Sequence, residues 1–359
     1  MNVFRILRSG EFYKLRKYSI LKDFASDYKK DWANPLRTFA VHRKGFTVSD
    51  WEILGLDNAN CRAYLNSKDY FQAHPINGSY SKMIDDKMII KYILSGTELS
   101  GNMPDYYYLI DENGRLCALM DAPGKPDNLA PEDVFNLLKE KQKLAIKLVA
   151  GSIGKGFYKA EYKDGKVFVN DAETAQEDFF GLISRCKNYI ISEYLTVHPY
   201  LAEFWPGSTN TIRFLVGRVN REWRMIKSFI RFGSKTTGVV ENFHRGGALC
   251  YINEDGFFHG GYQIAHKGKR ASVIRVTEHE DTHKVLDGQI PCWEELKKVA
   301  EGIERLLPQT RYLGFDFVIT DRNEVKLLEI NSLTSLDAMQ LDGSILNTEN
   351  GGWFFSSLR

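Results

Sequence analysis

The sequence predicts an α+β protein in which two α+β lobes face a cleft and a mainly helical segment precedes them. Three observations carry that reading. Short apolar runs bounded by turn residues pair as hairpins, as over residues 314–331; amphipathic stretches such as 293–307 fill the intervals between strands; and residues 1–80 show helical spacing without alternating strands.

Taken in order, Phe4, Leu7, Leu15, Tyr18, Leu21 and Phe24 recur at roughly helical spacing among basic residues, with a break near Gly10. Residues 1–50 hold eleven Lys and Arg against five Asp and Glu, a local excess of six in a chain of net charge +2. Two explanations stand: helices packed on the lobes with a solvated basic face, or a surface for an anionic partner such as a membrane leaflet, a polyprenyl-phosphate glycan or an acidic polymer. A helix is expected over 82–94, then strands over 106–110 and 116–120 around the Asn113-Gly114 turn, then a helix opened by Pro131.

Residues 144–149 form an apolar run with Lys147 inside it, and a lysine there needs a counter-charge. Gly151, Ser152, Gly154 and Gly156 connect it to a strand over 157–162, which turns at Asp164-Gly165 and returns over 166–169. A helix near 173–186 and a strand over 189–195 follow. Arg213 and Arg231 then occupy neighbouring apolar strands joined at Asn220-Arg221-Glu222. A helix over 293–307 leads into the last hairpin, 315–319 and 325–330 about the polar turn 321–324. The expected division is 1–80, 81–190 and 191–359.

Composition narrows the class. With 359 residues, 43% hydrophobic and 13% aromatic, the chain can bury a large core, and no apolar run reaches the eighteen or so residues of a membrane span. Residues 1–21 mix charge with apolar residues, unlike a signal peptide. Cys61, Cys117, Cys186, Cys250 and Cys292 are scattered and lack any C-x-x-C, which indicates a reducing cytoplasm without a zinc or disulfide framework. Nothing in the pattern calls for nucleic acid.

Four constellations bear on chemistry. In the last hairpin Asp316, Glu329 and Asn331 converge on one face, a set of oxygen donors suited to Mg²⁺ between carboxylates and nucleotide phosphates; solvated acids on an ordinary hairpin are the alternative. The glycine connection beside Lys147 can lie over phosphates and donate backbone N–H groups, although it is neither a Walker loop nor G-x-G-x-x-G. Arg213 and Arg231 can be aimed at one cleft, and the Gly-, Ser- and Thr-rich arm over 233–247, ending in Arg245-Gly246-Gly247, has the composition of a closing loop. Finally His279-Glu280-Asp281-Thr282-His283 matches the zinc motif H-E-x-x-H. No apolar residues surround it and Asp287-Gly288 and Pro291 follow closely, so a polar loop is expected there rather than a zinc helix.

In this order, Lys87, Lys147 with its glycine loop, the segment YIISEYL and the Asp316, Glu329, Asn331 set resemble the ATP-grasp superfamily over residues 80–350. The N-T-x-R strand with Asn210 and Arg213, Glu241-Asn242-Phe243 before Gly246-Gly247, and Ile290-Pro291-Cys292-Trp293 resemble more closely the sugar-transfer-associated ATP-grasp family, with Glu241 where aspartate is usual. The resemblance implies that ATP phosphates meet Lys87, Lys147, Ser152, Gly154 and Gly156. It implies that adenine meets Glu193, Tyr194 and Leu195 with His198 nearby, and that Asp316, Glu329 and Asn331 hold two Mg²⁺ ions. Asn210, Asn242, Arg245, Gly246 and Gly247 would contact substrate, and Arg213 and Arg231 would be catalytic. The implied reaction is an ADP-releasing carboxylate–amine ligation through an acyl phosphate. Its substrates would be a sugar acid, surface-polysaccharide precursor or secondary metabolite and an amino acid or amine, possibly glycan-linked. The alternatives are a kinase on the same fold and a nucleotide-binding module without catalysis. The α/β first domain usual in such enzymes is not evident.

Overall fold

The computed structural model describes residues 11–124, 128–149, 156–241, 243–267 and 270–358. The strand-poor N-terminal part consists of a 3₁₀ turn, Phe12–Tyr18, and helices Ser19–Lys30, Pro35–Arg43, Val48–Ile53 and Ser67–Ala73. Short polar residues start the last two: Thr47 accepts from the Asp50 N–H and Asn66 from the Asp69 N–H. In Ser19–Lys30 the packed face is Ile20, Phe24 and Asp27, with the Phe24 ring stacked on His42 at 4.1 Å. Leu21, expected on that face, is 60% exposed, because it lies one position round the helix from Ile20. Phe4 and Leu7 lie outside the described residues.

The helix expected over 82–94 is split into Ser81–Ile84 and Lys87–Ser95, divided where the Asp86 carboxylate accepts from the N–H groups of Met88 and Ile89. Seven strands follow: β1 (Tyr106–Ile110), β2 (Leu116–Ala118), β3 (Lys143–Leu148), β4 (Tyr158–Lys163), β5 (Lys166–Val169), β6 (Ala172–Thr174) and β7 (Tyr189–Glu193). They form one antiparallel sheet in the order β2-β1-β7-β3-β4-β5-β6. Helices Pro131–Lys141 and Gln176–Arg185 cover it, burying Val134, Leu138, Phe179 and Ile183 with Ile146, Ala160 and Ile191. Period-2 alternation places the other side chains of β3 and β7 toward the second sheet.

That sheet comprises β8 (Ile212–Val219), β9 (Glu222–Phe232), β10 (Ala248–Ile252), β11 (Phe257–His259), β12 (Gly261–Lys267), β13 (Arg270–Val276), β14 (Asp287–Gln289), β15 (Tyr312–Ile319) and β16 (Val325–Asn331). Its path is β13-β12-β10-β9-β8-β15-β16, with β11 pairing β10 and β14. Helix Trp293–Leu306 puts Leu296, Val299 and Ile303 into the core that also contains Phe315, Phe317 and Leu327. Every residue of β15 is buried, as its apolar run required.

The N-terminal helices are tied to this body by buried polar bonds. The Gln340 side chain accepts from the Leu65 N–H at 3.0 Å and donates to the Leu65 carbonyl at 3.0 Å. Asn77 donates to the Tyr312 carbonyl at 2.6 Å and accepts from the N–H groups of Arg311 and Tyr312. No helix among the described residues is long and apolar enough to cross a membrane. Gln340→Ala leaves a buried N–H and a buried carbonyl unpaired and is expected to lower stability by about 2–4 kcal/mol. Urea unfolding measures it, and an unchanged midpoint would mean that the N-terminal helices are not locked on the body.

Candidate active site

A cleft of about 750 Å³ separates the two sheets, walled by Lys87, Lys147, Arg213, Arg231, Asp316 and Glu329, and reached by Asp23 and Ser49 of the N-terminal helices. The register of the second sheet explains the polar row at its floor. Arg213 on β8 stands opposite Asp316 on β15, and Asp316 stands opposite Glu329 on β16. A register shift after Asp316 breaks the β15–β16 ladder just past this pair, and Leu328 takes part in the cleft wall.

Asp316 is the hub. Its carboxylate accepts a bidentate pair from Arg213, Nε at 2.6 Å and Nη2 at 2.9 Å, and Arg231 Nη2 lies 3.3 Å from the same group. Burial alone would push the Asp316 carboxyl up, but Arg213 and Arg231 outweigh it and hold it below its usual range. Arg213 also donates to Thr334 and Arg231 to Thr211, yet Arg231 Nε is buried without a partner among the described residues. Asn331 donates to Asp316 at 3.4 Å and to Glu329 at 3.2 Å, and Lys87 Nζ lies 2.6 Å from Glu329.

Lys147 has no carboxylate at ion-pair distance among the described residues; its ammonium lies 5.1 Å from the centre of the Tyr106 ring. Burial, with Lys87 and Lys91 adding repulsion, drops it from 10.5 to about 7. Lys91 is secured elsewhere, 2.8 Å from Asp121 and 2.9 Å from the Pro104 carbonyl. The cleft therefore has a cationic end, which Ala145, Leu148, Phe157 and Leu195 border with apolar surface.

The other expected residues are distributed unevenly. Glu193, Tyr194 and Leu195 line the cleft; the Glu193 carboxylate is also 2.9 Å from Arg322. Gly156 sits at φ +70° just before β4, and a Cβ there would meet the Tyr189 hydroxyl at 2.5 Å, so glycine is needed. His198 is not brought into the cleft wall: it accepts from the Tyr200 N–H and faces Asn323 at 2.9 Å. Asn210 is buried with its amide donating to the Leu201 and Trp205 carbonyls, which shapes the turn before β8. Arg245 is exposed and Gly247 buried, while the Gly246 carbonyl accepts from Gln263, holding the end of the arm against β12. Gly151, Ser152, Gly154 and Asn242 lie outside the described residues. The H-E-x-x-H stretch is a loop, as expected. His279 is buried with Nε2 2.7 Å from the Gly233 carbonyl, and His283 is exposed.

Asp23 and Ser49 carried no recognisable signal in the sequence, whereas Glu241 stands in the Glu-Asn-Phe stretch and His244 is a candidate base by its place beside it. Asp23 and Ser49 come from the N-terminal helices, more than 150 residues from the arginines. Glu241 has its carboxyl raised by burial, against the lowering effect of Arg231. His244 Nε2 lies 2.7 Å from Asp337, a bond that raises the imidazole above its usual value. Pairs 93 residues apart have no sequence spacing to betray them.

For a divalent cation, no group of three His, Cys, Asp or Glu side chains is gathered among the described residues. Asp316 and Glu329 supply oxygen donors of the kind Mg²⁺ takes, but Arg213 and Lys87 occupy them and Asn331 turns its NH₂ toward both, so the Asn331 amide would have to present its oxygen for the three to hold the ion with substrate oxygens.

Two lobes of antiparallel sheet, with Lys147 from the first, Lys87 from a helix packed on the second, and paired arginines and an Asp–Glu–Asn row from the second sheet, define an ATP-grasp protein. The sequence model of the sugar-transfer associated ATP-grasp family matches residues 67–350, and the chain belongs to that family. A comparison with curated proteins finds no match. Solved structures include the ATP-grasp ligase PsnB complexed with minimal precursor, at 14% identity over 79% of this chain and 62% of that one, TM-score 0.38. D-alanyl-alanine synthetase A from Vibrio cholerae is 12% identical over 79% of this chain and 65% of that one, TM-score 0.43. The Chryseobacterium gregarium RiPP-associated ATP-grasp ligase is 13% identical over 78% and 60%, TM-score 0.39. The chain thus spans less than two thirds of the length of these proteins.

Two substitutions separate the roles of Asp316 and Lys147 in the ligand-free fold. Asp316→Asn removes the charge between a buried and a half-buried guanidinium and is expected to cost about 3–5 kcal/mol in urea unfolding. Lys147→Met should raise the melting temperature of the ligand-free protein. The folded lysine titrates near 7 against 10.5 unfolded, so the gain is full below about pH 7 and shrinks as pH rises toward 10.5. A melting temperature lowered by Lys147→Met at pH 6 would contradict this.

Proposed function

We propose that this chain is an ATP-dependent carboxylate–amine ligase, forming a carbon–nitrogen bond through an acyl phosphate with release of ADP. The observation that carries the reading is Arg231, which lines the cleft: its guanidinium is anchored on Asp316 and Thr211, yet its buried Nε has no partner among the described residues. A buried donor held that way favours an anion supplied by a ligand.

In this reading Lys87, Lys147, Ser152, Gly154 and Gly156 receive the ATP phosphates, and Glu193, Tyr194 and Leu195 border the adenine. Mg²⁺ held by Asp316, Glu329 and Asn331 would neutralise phosphate oxygens. The substrate carboxylate attacks the γ-phosphorus in line, the bond to the β-phosphate oxygen breaks, and ADP leaves. An amine then adds to the acyl phosphate, and phosphate departs as the tetrahedral oxyanion collapses. Arg231 donates to that oxyanion, a contribution of about 3 kcal/mol in a dry site, while Arg213 fixes the carboxylate that aims it. Asn242, Arg245, Gly246 and Gly247 belong to the arm that closes on the acceptor side and keeps water from the acyl phosphate, and Asn210 shapes the turn before β8 on the substrate side. The proposed carboxylate is a sugar acid, polysaccharide precursor or secondary metabolite.

One observation favours a second reading. The His244–Asp337 pair on the cleft wall suits removal of a proton from a hydroxyl, as a kinase needs. A screen of sugar acids, amino acids and amines for ADP release separates the two. ADP that requires both a carboxylate and an amine, with an amide in the products, supports the ligase; a phosphorylated hydroxyl overturns it.

Arg231→Ala is expected to lower kcat by about 10²-fold or more with ATP affinity nearly kept. Shortening residues 233–247 should instead admit water, so that ADP release continues while amide yield falls. Equal ADP and amide yields in the shortened protein would count against a closing arm.

A further inference from the structure

The N-terminal helices expose an unusual surface. Thirteen large hydrophobic residues are exposed among the described residues, and six of them, Phe12, Leu21, Tyr28, Trp32, Leu36 and Phe39, fall within one short stretch. Leu36 is 84% exposed and Trp32 73%. Scattered apolar residues on a surface need no explanation, but this density does. Leu21 and Tyr28 lie seven apart on helix Ser19–Lys30; Leu36 and Phe39 lie three apart on Pro35–Arg43, with Trp32 between the two helices. Thr38 and Val41 are the buried residues of the second helix, so Leu36 and Phe39 lie off its core-facing side.

Basic residues surround this stripe. Lys22, Lys29, Lys30, Arg43 and Lys44 are exposed, and none stands at ion-pair distance from a carboxylate among the described residues. The acids of the region are largely committed: Asp31 to Arg37, Glu52 to Arg37, and Asp27 to His42 and the Val48 N–H. An apolar stripe with a tryptophan, flanked by exposed lysines of which Lys22 and Lys30 share Asp23 as a nearby acid, is the composition that lies in the interface of an anionic bilayer. A second copy of the chain would bring the same lysines face to face, which disfavours self-association.

We propose that helices Ser19–Lys30 and Pro35–Arg43 form a peripheral docking face for an anionic membrane surface, with Trp32, Leu36 and Leu21 entering the acyl boundary and the lysines meeting headgroup phosphates. Helix Ser19–Lys30 also lends Asp23 to the cleft wall, so the docked helix holds the cleft entrance near the membrane plane. The face does not depend on which reaction the cleft performs.

The test is co-sedimentation of the full chain with phosphatidylcholine vesicles with and without about one third phosphatidylglycerol, at low and high salt. Binding to the anionic vesicles only, weakened by salt, is expected, together with a blue-shifted tryptophan emission quenched by brominated acyl chains. Lys29→Gln and Lys30→Gln should each weaken binding about fivefold. A Trp32→Ser, Leu36→Ser variant should lose the emission shift and most of the binding at an unchanged melting temperature, since both side chains are exposed. Three results would overturn the proposal: no enrichment on anionic vesicles; binding to soluble polyphosphate without vesicle binding, which assigns the face to an acidic polymer; or a concentration-dependent dimer abolished by Leu36→Ser, which assigns it to a second copy.

Discussion

The contact between Arg213, Asp316 and Arg231 organises the cleft. One buried carboxylate carries two guanidiniums from two different strands, and charges so far from water are tolerable only in each other's company. The β8–β15 register sets the bidentate half of this contact, and the β15–β16 register brings Glu329 beside it. Lys87 approaches Glu329 from a helix outside the sheet, so the two neighbouring carboxylates, Asp316 and Glu329, are flanked by a cation at each end, Arg213 and Lys87. A shift of register by one residue would turn each of these side chains to the opposite face.

Lys147 is the exception to this compensation. It faces the same cleft from the first sheet, where burial and repulsion from Lys87 and Lys91 outweigh the attraction of Glu329. The cleft is therefore short of negative charge at one end, and an Arg231 donor without a partner among the described residues adds to the deficit. In the proposed reading a polyphosphate ligand would supply that negative charge.

The N-terminal helices belong to this design. They are fastened by Gln340 and Asn77 to the strands that carry the site, and they present Asp23 and Ser49 to the cleft. Their opposite face is apolar and basic, so a single small unit joins the cleft to whatever lies outside it.

Much of this was legible beforehand. Each strand bearing a site residue is a short apolar run between turn residues, so local pattern alone located β3, β8, β9, β15 and β16, and Arg213, Arg231 and Asp316 stood out as charges inside such runs. The failures were also local in origin. Leu21 was placed on the packed face because spacing cannot tell which side of a short helix meets the body, and one helix over 82–94 proved to be two because Asp86 caps the second. What the sequence determined by itself was the set of elements and the charges each must bury, since both follow from periodicity and the cost of burying charge. Which charge answers which was decided only by tertiary structure: Lys87 with Glu329, His244 with Asp337 and Asp23 with the cleft are meetings of distant segments, fixed by strand order and docking, and no spacing along the chain encodes them.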